Sequence, residues 1–247
     1  MSETPDATAT YNFDSVEAIV MWLEDNPSEV LKRINRLIHT QAFDQADHLG
    51  AIAVRLFPDN QSIGLEYALV PMFRPDYAAA AVRLAELQDR FPYFARAWSY
   101  GARALRGGRR FDEAEALLER ATAKFPGEWH IFVEYGHCAS DRRALQEAIV
   151  RWAIVRQRFP QRPEGYWMAA RVLSHIGDLD QAELIIGQAI DRFPDNRLVL
   201  RQWVVTAIDR QDWPEVERRW AVAKSRHPDM REGDVGYIRR ALARPAR

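Results

Sequence analysis

Residues 159–194 read FPQRPEGYWMAARVLSHIGDLDQAELIIGQAIDRFP. The stretch begins and ends on Phe-Pro, and Gly177-Asp178 divides it into two halves. In the first half Tyr166, Ala170 and Leu173 stand three or four residues apart, and in the second half Ala182 leads to Ala189. Such spacing lays one apolar stripe along each of two helices. Proline after the second run cannot continue a helix and sets the turn into whatever follows. The stretch is therefore one helix–turn–helix unit.

The unit recurs along the chain. Pro58, Pro92, Pro126, Pro160, Pro194 and Pro228 stand 34 residues apart, and Phe57, Phe91, Phe125, Phe159 and Phe193 precede the first five, with His227 before the last. Other columns keep the same period. A small residue opens the second helix at Ala46, Ala80, Ala114, Ala148 and Ala182, with Val216 at the end of the series. A large apolar residue precedes it at Phe43, Tyr77, Phe111, Leu145, Leu179 and Trp213. Ala53, Ala121, Ala189 and Ala223 recur further along the second helix, with Leu87 and Val155 in the remaining places. In the first helix a large residue stands at Trp98, Phe132 and Tyr166, replaced by Val30 and Leu200, with Gly64 as the exception. A small one follows at Ala68, Ala102, Gly136 and Ala170, with Ile34 and Val204 at the ends.

A 34-residue period with these columns resembles the tetratricopeptide repeat (TPR), and Gly177-Asp178-Leu179-Asp180-Gln181-Ala182 is similar to that family's consensus. The resemblance covers about residues 27–230. It implies an all-α fold, a right-handed α-solenoid of six helix–turn–helix repeats: 27–60, 61–94, 95–128, 129–162, 163–196 and 197–230. A single pair cannot bury its stripes alone, so stacking of neighbours stabilises the array.

Around the repeats, Asp14-Ser15-Val16-Glu17 reads as an N-cap with its glutamate three residues on. A capping helix is expected over 14–26, after a disordered start at 1–13. A C-terminal capping half-repeat is expected over 231–247, with Tyr237 and Ala241 facing inward. Repeat two departs from the pattern. Pro71 falls inside the first helix and predicts a kink or an early stop; Pro75 falls in the inter-helix turn, where it is expected to fit.

The composition is that of a soluble folded chain: 47% hydrophobic, 28% charged and a formal net charge of -1. The near-neutral balance argues against nucleic acid, whose binders carry a basic excess. No apolar run approaches the roughly 20 residues that span a bilayer, and Met1–Thr10 lacks the basic start of a secretory signal. The expectation is a cytoplasmic protein with no membrane insertion. Cys138 is the sole cysteine and reads as a core filler. The histidines lack the spacing of a metal site, with His130 and His137 roughly 10 Å apart along one helix. No P-loop, dinucleotide fingerprint or nucleophile context is present. The sequence predicts no enzyme, no metal and no cofactor.

The resemblance implies a concave groove lined by the first helix of each repeat, holding another protein or a peptide. Groove candidates are Arg96, Tyr100 and Arg103 in repeat three, His137 in repeat four, and Trp167, Met168 and Arg171 in repeat five. Arg103, His137 and Arg171 share one column, which predicts a basic line and an acidic partner segment with an aromatic anchor. The clamp by which one TPR branch holds chaperone tails is not matched: Leu31, Glu66 and Tyr100 stand where its lysine, asparagine and arginine are expected. Leu65, Leu69, Met72 and Phe73 form a second candidate interface around Pro71; burial beneath the N-terminal helix is the other reading of the same residues. A scaffold or adaptor is the first functional expectation. A self-assembling homo-oligomer, or an accessory subunit of a glycan-synthesis or secretion complex, are the alternatives.

Overall fold

The computed structural model describes residues 26–231. The disordered start, all of the expected capping helix but Asn26, and all but the first residue of the expected C-terminal half-repeat lie outside these residues. Twelve α-helices follow one another, with no strand among the described residues: α1 Pro27–His39, α2 Phe43–Leu56, α3 Gln61–Leu69, α4 Tyr77–Arg90, α5 Ala95–Gly107, α6 Phe111–Lys124, α7 Trp129–Asp141, α8 Leu145–Arg158, α9 Glu164–Ile176, α10 Leu179–Arg192, α11 Arg197–Asp209 and α12 Trp213–Arg226. This is the all-α, helical-repeat architecture that the columns predict. The chain divides into two compact units, Met1–Gly108 and Arg109–Arg247, so α5 belongs to the first and α6 to the second.

Local chemistry starts and stops these helices. Asn60 and Asn196 each accept hydrogen bonds from two backbone amides at the heads of α3 and α11, and Asp76, Asp178 and Asp212 each accept one at α4, α10 and α12. Such caps satisfy donors that the helix itself leaves unpaired. Between the helices of each repeat one residue takes a positive φ: Gln41, Pro75, Arg109, Arg143, Gly177 and Gln211. They keep the 34-residue period, yet only Gly177, at +85°, adopts that conformation without a Cβ penalty. Pro75 is the poorest match, at +28°, because its ring holds φ near −65°. The expectation that proline fits this turn is corrected. Pro71 acts as the sequence predicts: α3 stops at Leu69 and Val70–Phe73 tighten into a 3₁₀ turn.

The small column makes the packing. Ala46, Ala80, Ala114, Ala148, Ala182 and Val216 are all fully buried, and where both helices of a repeat lie in one unit they let the two approach. Gly136 shows how close: a Cβ there would lie 2.8 Å from the Trp152 ring. In the first unit Val30, Ile34, Leu49 and Ile63 form one cluster and Leu65, Ala80, Leu84 and Ala97 another. In the second unit one continuous core runs from Phe132 to Met230.

A second, longer period of 68 residues is superposed. Arg83, Arg151 and Arg219 lie on the second helix of every other repeat. Each donates to a backbone carbonyl 16 residues earlier, of Tyr67 (3.2 Å), Tyr135 (3.2 Å) and Trp203 (2.8 Å). Each also lies over that residue's ring, at 3.9, 3.5 and 5.0 Å from its centroid. Each then pairs with a carboxylate on the preceding repeat: Asp47 at 3.2 Å, Glu115, and Glu183 at 2.6 Å. The intervening repeats carry buried Leu49, Leu117 and Ile185 in the arginine position. Arginine suits this role because its planar fork can stack on a ring and engage a carboxylate bidentately at once.

Removing one partner of such a pair strands the other in a poorly solvated place. Arg151→Met is expected to destabilise the protein by about 3 kcal/mol, read by urea unfolding, whereas Arg171→Met on the exposed surface should change stability by less than about 0.5 kcal/mol. Gly177→Ala should cost about 1–2 kcal/mol for the left-handed conformation alone, since nothing lies within 4 Å of the added Cβ. Equal stability of either variant and the parent would contradict these assignments.

Candidate functional site

The first helices of both units carry the candidate residues. In the first unit α5 presents Arg96, Tyr100 and Arg103 on one face. Arg103 lies 5.0 Å from the centre of the Tyr100 ring and Arg96 6.0 Å. The spacings of four and three residues bring them together, because residues so separated are neighbours on a helix surface. Both arginines are exposed and the tyrosine is half-buried between them. Glu66 on α3 adjoins this cluster: burial pushes its carboxyl above the ordinary range, and the Arg96 guanidinium pulls it back.

In the second unit the candidates separate. Arg171 is exposed on α9 and makes no ion pair among the described residues. Trp167, one turn earlier, is half-buried against the core. Its Nε1–H is shielded from solvent, with no acceptor among the described residues. Glu164 Oε2, a further turn back, is in the same condition. A buried polar atom left in that state costs about 1–3 kcal/mol. His137 on α7 turns its ring edge-on to Trp152, 5.0 Å between centroids. Its ring is thus packed against a core tryptophan, as well as partly open to solvent.

Two candidate assignments are corrected. Met168 is only 1% exposed and belongs to the core of the second unit. Its column, with Glu134 and Gln202, is buried in three successive repeats, because the first helices α7, α9 and α11 also pack on one another. Positions facing a neighbouring first helix are therefore interior rather than groove. In repeat two, Leu65 and Leu69 are buried against α4 and α5 residues of the first unit, so only part of the predicted apolar patch remains at the surface. Phe73 is 51% exposed and stacks on Phe43 at 6.4 Å; Met72 is half-buried. Leu65 and Leu69, four apart on α3, share its packed side, and Phe73 lies beyond the end of that helix.

Sequence reasoning passed over Arg201, which is exposed on the first helix of repeat six. It also passed over the Arg83, Arg151 and Arg219 series, whose signal was an arginine every 68 residues. Cys138 is fully buried, 3.9 Å from the Phe111 carbonyl, in the filler role expected of it. Among the described residues no group of three or more His, Cys, Asp or Glu side chains is disposed to hold a metal ion. No helix there is long and apolar enough to cross a membrane.

No family model and no curated protein sequence matches the chain. Solved structures do. Yeast Tom70 is similar at a TM-score of 0.67 and 14% identity over 81% of this chain, which spans 42% of Tom70's length. PilW, a type IV pilus biogenesis factor, is similar at 0.68 and 16% identity over 87% of this chain and 98% of its own. YrrB, a TPR protein with an unusual peptide-binding site, is similar at 0.51 and 16% identity over 74% of this chain and 95% of its own. Helix pairs that repeat every 34 residues, each closed on a small buried column and superposable on such structures, are the tetratricopeptide-repeat fold, and that is the fold of this chain.

Proposed function

We propose that the chain is a non-catalytic scaffold that holds a segment of another protein along its first-helix face. The observation that carries this reading is the Arg96–Tyr100–Arg103 cluster on α5. Two exposed guanidinium groups bracket one tyrosine there, and arginine with an aromatic neighbour is the usual make-up of an interface hot spot. Within the second unit, exposed Arg171 and Arg201 carry basic chemistry of their own on α9 and α11. The preferred partner segment is acidic with an aromatic or apolar anchor, because the exposed arginines of either unit attract carboxylates and steer their approach. The peptide-binding character of YrrB supports the class of partner. A reducing, cytoplasmic setting agrees with a single buried cysteine.

The likeness to a pilus biogenesis factor over nearly its whole length supports a second reading, an accessory subunit of a secretion assembly. The two readings share the surface and differ in the proteins recovered on it.

The test is affinity purification with quantitative mass spectrometry on the parent chain, Arg103→Glu combined with Arg171→Glu, and Trp167→Ala. The double charge reversal should weaken capture of a specific partner by on the order of tenfold, about 1.4 kcal/mol, with helicity unchanged. Trp167→Ala should weaken it less, since most of that ring already packs on the core. Undiminished capture by the double variant would move the site to the second helices. Recovery of secretion components in the same experiment would favour the accessory reading.

A further inference from the structure

In the first-helix column of large residues only Gly64 supplies no side chain, and the structure shows what stands there. In repeat four Phe132 meets Phe159 of its own Phe-Pro pair at 5.3 Å, with the Arg158 guanidinium 4.6 Å over its ring. In repeat five Tyr166 meets Phe193 at 5.6 Å, and Arg192 donates to its hydroxyl at 3.1 Å. Repeats four and five thus each build a socket from a phenylalanine and the arginine just before it, and fill the socket with their own ring. Repeat two keeps the socket, in Arg90 and Phe91, but carries Gly64 in place of the ring.

A pocket of about 120 Å³ lies at this place, open to the surface; its wall includes Phe57, Gly64, Leu87, Arg90 and Phe91, with polar Arg83 and Glu86 also lining it. Leu87 leans into part of the gap: a Cβ on Gly64 would meet its Cδ1 at 2.6 Å. The remaining volume is close to that of the cavity of roughly 150 Å³ that accepts benzene in an engineered protein core. Arg90 is half-exposed, with Asp59 a loose 3.9 Å away, and its guanidinium stands 5.7 Å from the Phe91 ring centre. The matching distance in the filled repeat, Arg158 to Phe159, is 5.8 Å. Arg90 thus stands to Phe91 as Arg158 stands to Phe159.

We propose that this pocket is a binding socket for a phenylalanine or tyrosine side chain presented by a partner protein. The chain's own Phe132 and Tyr166 are the templates for the occupant. The ring packs on Phe91 and Leu87, and Arg90 lies over its face or donates to its hydroxyl. The socket is separate from the α5 arginine cluster, and its test does not depend on that cluster's partner.

The probe is p-cresol, the tyrosine side chain without its backbone, titrated into the full chain and followed by NMR. Saturable binding is expected, with nuclear Overhauser contacts from the probe to Leu87 methyl and Phe91 ring protons. Gly64→Phe supplies the missing ring from within, so it should abolish this binding and raise Tm; the Leu87 tip is a flexible end that can move aside. Arg90→Gln should weaken binding roughly two- to fivefold through the lost cation–ring contact. No saturable binding to the parent chain, or equal binding by a folded Gly64→Phe, overturns the proposal. Should Gly64→Phe fail to fold, the contacts seen on the parent chain decide: Leu87 and Phe91 support the socket, and any other place for the probe overturns it.

Discussion

The approach of two helices across a column of side chains no larger than valine is the constraint on which the rest depends. Ala46, Ala80, Ala114, Ala148, Ala182 and Val216 admit no solvent. Within each unit, their smallness sets how near the second helix of a repeat comes to the first. Once that spacing is fixed, the large residue before each of them and the ring of the first helix have one place to go. A larger side chain in this column would force the pair apart and loosen contacts on both sides, since interiors packed as densely as crystals pass strain to their neighbours.

On that uniform frame the arginine series imposes an alternation. Arg83, Arg151 and Arg219 are held by a ring and a carbonyl of their own repeat and a carboxylate of the repeat before. The carboxylate belongs to a repeat with leucine or isoleucine in the arginine position, so the two kinds of repeat are not interchangeable. A helical stack held only by apolar columns of one period could slide by a whole repeat without losing its pattern. A guanidinium that pairs with a carboxylate of the neighbouring repeat penalises that slip, because the misplaced charge would lose that partner. The 68-residue period thus adds register to a fold whose 34-residue period supplies stability.

The architecture was legible in the sequence because its signal is periodic: each repeat is an independent sample of the same columns, and six samples suppress accident. The shortening of α3 was legible for another reason, as proline forbids the helix regardless of context. Met168, Leu65 and Leu69 were misread because a single-helix stripe does not say which flank of that stripe meets the next first helix. Packing of α9 on α7 and α11 buries Met168, and no spacing within α9 encodes it. The Tyr100 bracket was half legible, since the 3–4 spacing of its arginines was visible but the inward lean of the ring was not. The arginine alternation was present in the letters at a period twice the one that defines the repeat.

Departures from the columns gather in repeat two, and their physical directions agree. Gly64 removes a ring and places a flexible residue inside a helix, which costs about 0.5–1 kcal/mol relative to alanine. Pro71 removes the last turn of that helix, and Pro75 sits in a left-handed position that its ring resists. Each lowers the local stability of the same 34 residues, whereas the Arg83 contacts to Tyr67 and Asp47 act to restore it. A stacked array tolerates one weak member because neighbours on both sides hold it, stability being close to a sum of repeat and interface contributions. Repeat two is therefore where the array can surrender an internal ring without unfolding. The residues that survive there, Arg83 clamped from below and Arg90 with Phe91 at the rim, are those that keep the shape of the gap.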